Sequence, residues 1–143
     1  MKTKTLTYQQ IKKATKKLYS KIGRVPSPAL NNELVAFTSK GFTHVIRKGR
    51  KPRPRKEQKR RFRLLQYAEK VVKNPKAVIE YRTTETKELV NRYGEKVRVE
   101  STAQFWTFVE TVDNRTIKVV VRQLNKGQKH FFSVMEGKNK KSP

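Results

Sequence analysis

Residues 57–81, EQKRRFRLLQYAEKVVKNPKAVIEY, contain the change of rhythm that decides the fold class. Up to residue 73 the apolar positions recur at helical spacing: Phe62, Leu65, Ala68 and Val72 form one stripe, with Leu64 and Val71 beside it. Asn74-Pro75 stops that rhythm, because proline cannot continue a helix and restricts the residue before it. From Ala77 the period is two, the spacing of a strand with one buried face. The stretch predicts a helix over 57–73 and a strand over 77–81.

The strand rhythm persists downstream. Residues 89–93 and 96–99 read as a hairpin turned at Gly94-Glu95, and 104–112 and 117–124 as a second, turned at Asp113-Asn114-Arg115. A last strand is expected over 130–135, and 137–143 (GKNKKSP) reads as a polar tail. Upstream, Thr7 and Gln10 have capping-box spacing, and Leu6 and Ile11 occupy staple positions. Tyr8, Ile11, Ala14, Leu18 and Ile22 continue as a helical stripe, with Gly23 as its C′ residue and five lysines off the stripe. Val25-Pro26-Ser27-Pro28 breaks the chain into a loop, and 34–37 and 42–46 read as two short strands around Ser39-Lys40-Gly41. The expected class is α+β: two N-terminal helices packed on an antiparallel meander sheet. Residues 1–33 form a basic helix and loop ahead of a domain over 34–136.

Charge narrows the partner. The 143 residues carry 36 Lys and Arg against 11 Asp and Glu, a formal net charge of +25. Solubility needs only about 2–8 units in a small domain, and the excess costs stability by self-repulsion, so an anionic partner is the simplest reason for it. Residues 47–63, RKGRKPRPRKEQKRRFR, hold eleven of the basic residues, and Gly49, Pro52 and Pro54 predict an irregular first half. Such a segment neutralises several phosphates and gains from counterion release. Arg47, Lys48, Arg50, Lys51, Arg53, Arg55, Lys56 and Arg60 are its candidate nucleic-acid contacts. A localisation-type signal or a solvated tail is the bland alternative, against which stands its position inside the domain. No cysteine is present, no export signal opens the chain, and no apolar run approaches the roughly 20 residues that span a bilayer. A cytoplasmic protein with no membrane partner is expected.

Few residues are suited to chemistry. His44 precedes Arg47 and Lys48, and neighbouring cations lower an imidazole pKa and favour the neutral base. That is what deprotonating a ribose 2′-hydroxyl requires; a half-buried strand histidine is the competing reading. Arg61 shares the inner line of Leu65, Ala68 and Val72, where a guanidinium clamps a phosphate or snorkels to the surface. Arg122 lies between Val120 and Leu124 on one strand face and wants an anion. Ser133 follows His130 by three, so a regular strand sends them to opposite faces and Ser133 to that of Phe131 and Met135. Trp106 either stacks an unpaired base or belongs to the core. Phosphate-loop, zinc-ligand and RNP1 patterns are absent, and the carboxylates are scattered. No metal or cofactor is expected, and metal-free cleavage points to RNA.

The order of Phe42-Thr43-His44-Val45-Ile46, a basic loop, a helix with an inward Arg and a closing Phe131-Phe132-Ser133-Val134 resembles the BECR superfamily of ribonucleases (barnase, EndoU, tRNA-cutting colicins and RelE), notably its phage-type toxins. The resemblance covers roughly residues 34–136 and rests mostly on topology. It implies His44 as the acid/base, Arg61 and Arg122 as phosphate clamps and Ser133 as a substrate-orienting hydroxyl. The very basic, proline-broken loop departs from the pattern. The expected activity is a metal-independent endoribonuclease toxin acting on RNA, tRNA among the options, with an acidic antitoxin or immunity protein as its neutralising partner. A non-catalytic RNA- or DNA-binding protein, ribosome-associated or phage-packaged, needs the charge alone. The sequence leaves the oligomeric state open.

Overall fold

A computed structural model describes residues 6–112 and 114–137. Helix α1, Tyr8–Ser20, starts at the expected box: Thr7 Oγ1 accepts from the Gln10 N–H, and the Gln10 side chain accepts from the Thr7 N–H. Strand β1 (Arg24–Ser27) follows, then a 3₁₀ turn at Pro28–Leu30 and strand β2 (Glu33–Ala36). Helix α2 is Ser39–Ile46, a two-stranded ribbon joins β3 (Arg47–Lys48) to β4 (Lys51–Pro52), and helix α3 is Arg55–Lys73. The rest is β5 (Val78–Arg92), β6 (Glu95–Val112), β7 (Arg115–Leu124) and β8 (His130–Gly137). Of the tail expected over 137–143, Gly137 belongs to β8 and the rest lies outside the described residues, as does Asp113 of the expected turn.

The mixed α/β character stands, but the simple meander and the pair of N-terminal helices do not. There are three helices among the described residues, and α3 sits mid-chain. The six-stranded sheet has the order β1-β2-β8-β7-β6-β5. Its β5 to β8 half is an antiparallel meander, whereas β8 meets β2 in parallel at Ala36 and His130. The segment read as a loop from Val25 is strand β1, whose Val25 and Ser27 are buried, with the Ser27 hydroxyl donating to the Val72 carbonyl. The 77–81 and 89–93 strands are one strand, and 96–99 and 104–112 are another. The basic run's first half is the β3–β4 ribbon, turned at Gly49 with φ +63°, and Pro52 is tolerated there because the ribbon is all edge.

The largest correction is α2, where residues 42–46 were expected as a strand. Thr43, Val45, Ile46 and especially Gly41 disfavour a helix, by up to ~0.7 kcal/mol each and ~1 for the glycine. Helical spacing, however, buries Phe42 and Val45 together, each contributing about 1.5–3 kcal/mol. Burial wins. Phe42 stacks on Phe62 of α3 at 6.0 Å and packs near Tyr19 of α1 at 5.4 Å. The inner stripe of α3 covers Phe108, Ile117, Val119, Val121, Phe131 and Val134 of the sheet, and α1 joins the same core.

Gly41 is where α2 crosses β8. A Cβ there would lie 2.6 Å from the Phe131 carbonyl oxygen and 2.7 Å from the Tyr19 hydroxyl, so the helix itself would have to move. Gly41→Ala is expected to lower stability by about 1–3 kcal/mol despite alanine's better helix propensity. A thermal melt checks this: an unchanged or raised Tm would refute the close packing.

Candidate active site

On the sheet face turned away from the main core, Phe105 and Phe132 meet edge to face at 5.5 Å beside Ala103 and Val120. Cations sit on both rings, the Arg82 guanidinium 4.5 Å from the Phe105 centroid and that of Arg122 4.5 Å from the Phe132 centroid. The last turn of α2 brings His44 onto Phe132, with ring centroids 4.1 Å apart. Beside this stack is a pocket of about 240 Å³ lined by His44, Lys48, Arg53, Arg61, Arg82, Val120, Phe132, Ser133 and Met135. Four cations line it, and no carboxylate does.

Helix α3 aims Arg61 inward, as its place on the apolar line predicted. Arg61 Nη1 donates to Ser133 Oγ at 3.0 Å and to the Val134 carbonyl at 2.9 Å. Nη2 reaches Glu57 Oε1 at 3.2 Å. The same carboxylate oxygen lies 3.4 Å from Arg53 Nη1, so Glu57 stands between two guanidiniums. Arg53 Nε donates to the His44 carbonyl at 3.1 Å, and Gln58 Nε2 donates to the Arg53 carbonyl. Arg53, a candidate nucleic-acid contact in a segment expected to be irregular, is 8 % exposed and ties the end of the ribbon to the end of α2. Fixed cations of this kind form an anion site that needs little reorganisation when a phosphate enters.

His44 is held below the ordinary imidazole pKa by burial first, and then by the charges of Arg53, Arg61 and Arg122; its own backbone carbonyl pulls weakly the other way. Its Nδ1 is buried and makes no hydrogen bond to any described residue. The result is a neutral imidazole among cations, with hydrogen-bonding capacity unspent.

His130 is different. Its Nε2 accepts from Arg122 Nε at 3.0 Å and its Nδ1 lies 3.2 Å from the Gln128 carbonyl, which makes Nδ1 the protonated nitrogen. Burial is the main cause of its lowered pKa. With both nitrogens engaged, it orients Arg122 rather than facing the pocket. Ser133 does line the pocket, because a register shift opposite Val120/Val121 breaks the alternation of β8. Phe131 and Met135 consequently lie in different clusters, and the face expected for Ser133 does not exist as a regular row.

The structure therefore joins His44, Arg61 and Ser133 in one pocket, with Arg122 across the Phe132 ring. Lys48 and Arg53 join them. Arg47, Arg50, Lys51, Lys56 and Arg60 are exposed on the ribbon and the start of α3, and Arg55 lies over Tyr8 at 4.6 Å. Trp106 is on the other sheet face, packed beside the main core with Lys129 Nζ 4.7 Å from its ring. Arg82 was missed: the strand was ended one residue before it, although Val78, Glu80 and Arg82 share a period of two. Among the described residues no three His, Cys, Asp or Glu side chains converge on a metal-holding group, and no helix is long and apolar enough to cross a membrane. No family model, curated protein or solved structure matches the chain.

Proposed function

We propose that this pocket is the active site of a metal-independent endoribonuclease of the BECR type. The observation that carries the reading is a neutral histidine set in a pocket walled by arginines and free of carboxylates. In this reading His44 takes the proton of a ribose 2′-hydroxyl. The 2′-oxygen attacks the adjacent phosphorus, and the bond from phosphorus to the 5′-oxygen breaks. The proton passes to the departing 5′-oxygen directly or through water, leaving a cyclic phosphate and a 5′-hydroxyl.

Arg53, Arg61 and Arg82 offset the charge that builds on the phosphorane, with Arg122 adding to the field across Phe132. Ser133, held as an acceptor by Arg61, keeps its own proton to donate to a phosphate oxygen. The exposed cations of the ribbon and α3 track the flanking backbone. An enzyme of this kind harms the cell that makes it, so an acidic antitoxin or immunity protein is the partner the surface suits.

The test uses two oligonucleotides of one sequence, all-ribose and all-2′-deoxy, incubated with the protein in EDTA. Cleavage of the ribose strand alone, ending in cyclic phosphate, is expected. Binding without cleavage would leave the simpler reading of a basic nucleic-acid-binding protein.

A further inference from the structure

The β5–β6 hairpin is unlike the rest of the molecule. Strand β7 pairs with β6 only from Ala103 onward, so residues 85–102 extend past it as a two-stranded arm. Residues 85–102 contain four Lys or Arg and four Glu, a net charge of zero. The entire +25 therefore lies elsewhere in the chain. A surface kept for polyphosphate would not be neutral in so basic a protein.

The arm is also where apolar groups face water. Of the seven large hydrophobic side chains exposed among the described residues, Tyr93 and Val97 are on the arm, with Tyr93 at the tip fully exposed, and Val78 and Tyr81 lie on β5 leading into it. Strand β5 is the outer edge of the sheet, unpaired along its outer side for 15 residues. It contains no proline, the residue that commonly blocks such edges. The other edge, β1, has Pro26.

We propose that β5 is a self-association edge, on which a second copy of this chain adds its own β5 antiparallel and continues the sheet. The sequence of the strand is complementary to itself. In a two-fold register about position 86, Glu80 stands opposite Arg92 and Glu85 opposite Lys87, each pair occurring twice. No like charges are opposed. Pairs of these kinds contribute roughly 0.2–1 kcal/mol each. Arg92 and Lys87 already face Glu95 and Glu100 across the hairpin, so each cation would lie between two carboxylates.

Two copies at +25 repel, and the geometry says where. Strand β8, which carries the pocket, is three strand spacings from β5, so the two pockets would stand roughly 30 Å apart across the seam. Screening lengths are about 10 Å at 0.1 M salt and 3 Å at 1 M, so added salt removes the repulsion while sparing the buried strand pairing. Self-association thus strengthens with salt, the opposite sign to nucleic-acid binding.

Sedimentation equilibrium of the RNA-free full chain at about 50 mM and about 500 mM NaCl tests this. A dimer that tightens at the higher salt is expected. Glu80→Arg or Arg92→Glu alone should raise its dissociation constant about tenfold, and the double swap Glu80→Arg/Arg92→Glu should restore it. These positions are exposed, so the monomer fold is not at stake, and circular dichroism of each variant checks that. A monomer at every salt concentration, or a double swap no better than the singles, overturns the proposal. The nuclease reading is untouched by either result.

Discussion

Replacing His44 with alanine should lower the rate of RNA cleavage about a hundred- to ten-thousand-fold while leaving the fold and RNA affinity intact. The size follows from the role: a general base is worth that much, and no other group lining the pocket is a neutral acceptor of a proton. The fold should survive because the imidazole is only half-buried and its Nδ1 has no hydrogen bond to lose among the described residues. Single-turnover cleavage, a melt and a binding isotherm on one preparation give the three readings. A variant within tenfold of the wild-type rate would remove His44 from the chemistry.

The pH profile adds a signature that a structural role would not give. In the proposed mechanism His44 acts unprotonated, and burial followed by Arg53, Arg61 and Arg122 holds its pKa below the ordinary ~6.5. In wild type, the acid limb of kcat/KM should therefore have its midpoint below pH ~6.5. A bound phosphodiester offsets the guanidiniums and raises the same pKa. The acid limb of kcat should then lie at higher pH than that of kcat/KM.

The second large effect is on salt. Arg47, Lys48, Arg50, Lys51, Lys56 and Arg60 are exposed around the pocket. Six phosphate contacts to a single strand give a slope of about −4 in log affinity against log salt, a loss of roughly 300-fold between 50 and 200 mM. Using His44→Ala to keep the RNA whole, the affinity is read across that range. Changing Arg50, Lys51 and Lys56 to glutamine should reduce the slope by about 2 and weaken all sequences alike. A salt-independent affinity would mean that the ribbon does not track the backbone.

The elements built on local signals were legible in the sequence. The capping box at Thr7, the Asn74-Pro75 stop and the glycine turn near residue 94 are short-range, and α1, α3 and the long hairpins follow from them. The inward aim of Arg61 was legible for the same reason. Helix α2 was not, because its β-branched residues favour a strand and the burial that overrides them comes from α1, α3 and β8. The parallel meeting of β2 with β8 joins residues 36 and 130, and no window on the chain contains both. The pocket partners that were misjudged depend on such distant facts. Arg53 needs Glu57 and the end of α2 together, Arg82 needs the Phe105 ring, and Ser133 needs a register shift that leaves no mark in composition.

Strand β8 is the last of the described strands, yet it sits in the middle of the sheet, between β2 and β7. During synthesis the β1–β2 pair and the β5–β6–β7 meander can each form on its own, but nothing joins them into one sheet until residues 130–137 emerge. Ser133 and Phe132 arrive in that same segment. A growing chain therefore holds His44, Arg53, Arg61 and Arg82 before it holds the Phe132 and Ser133 that complete the pocket lining.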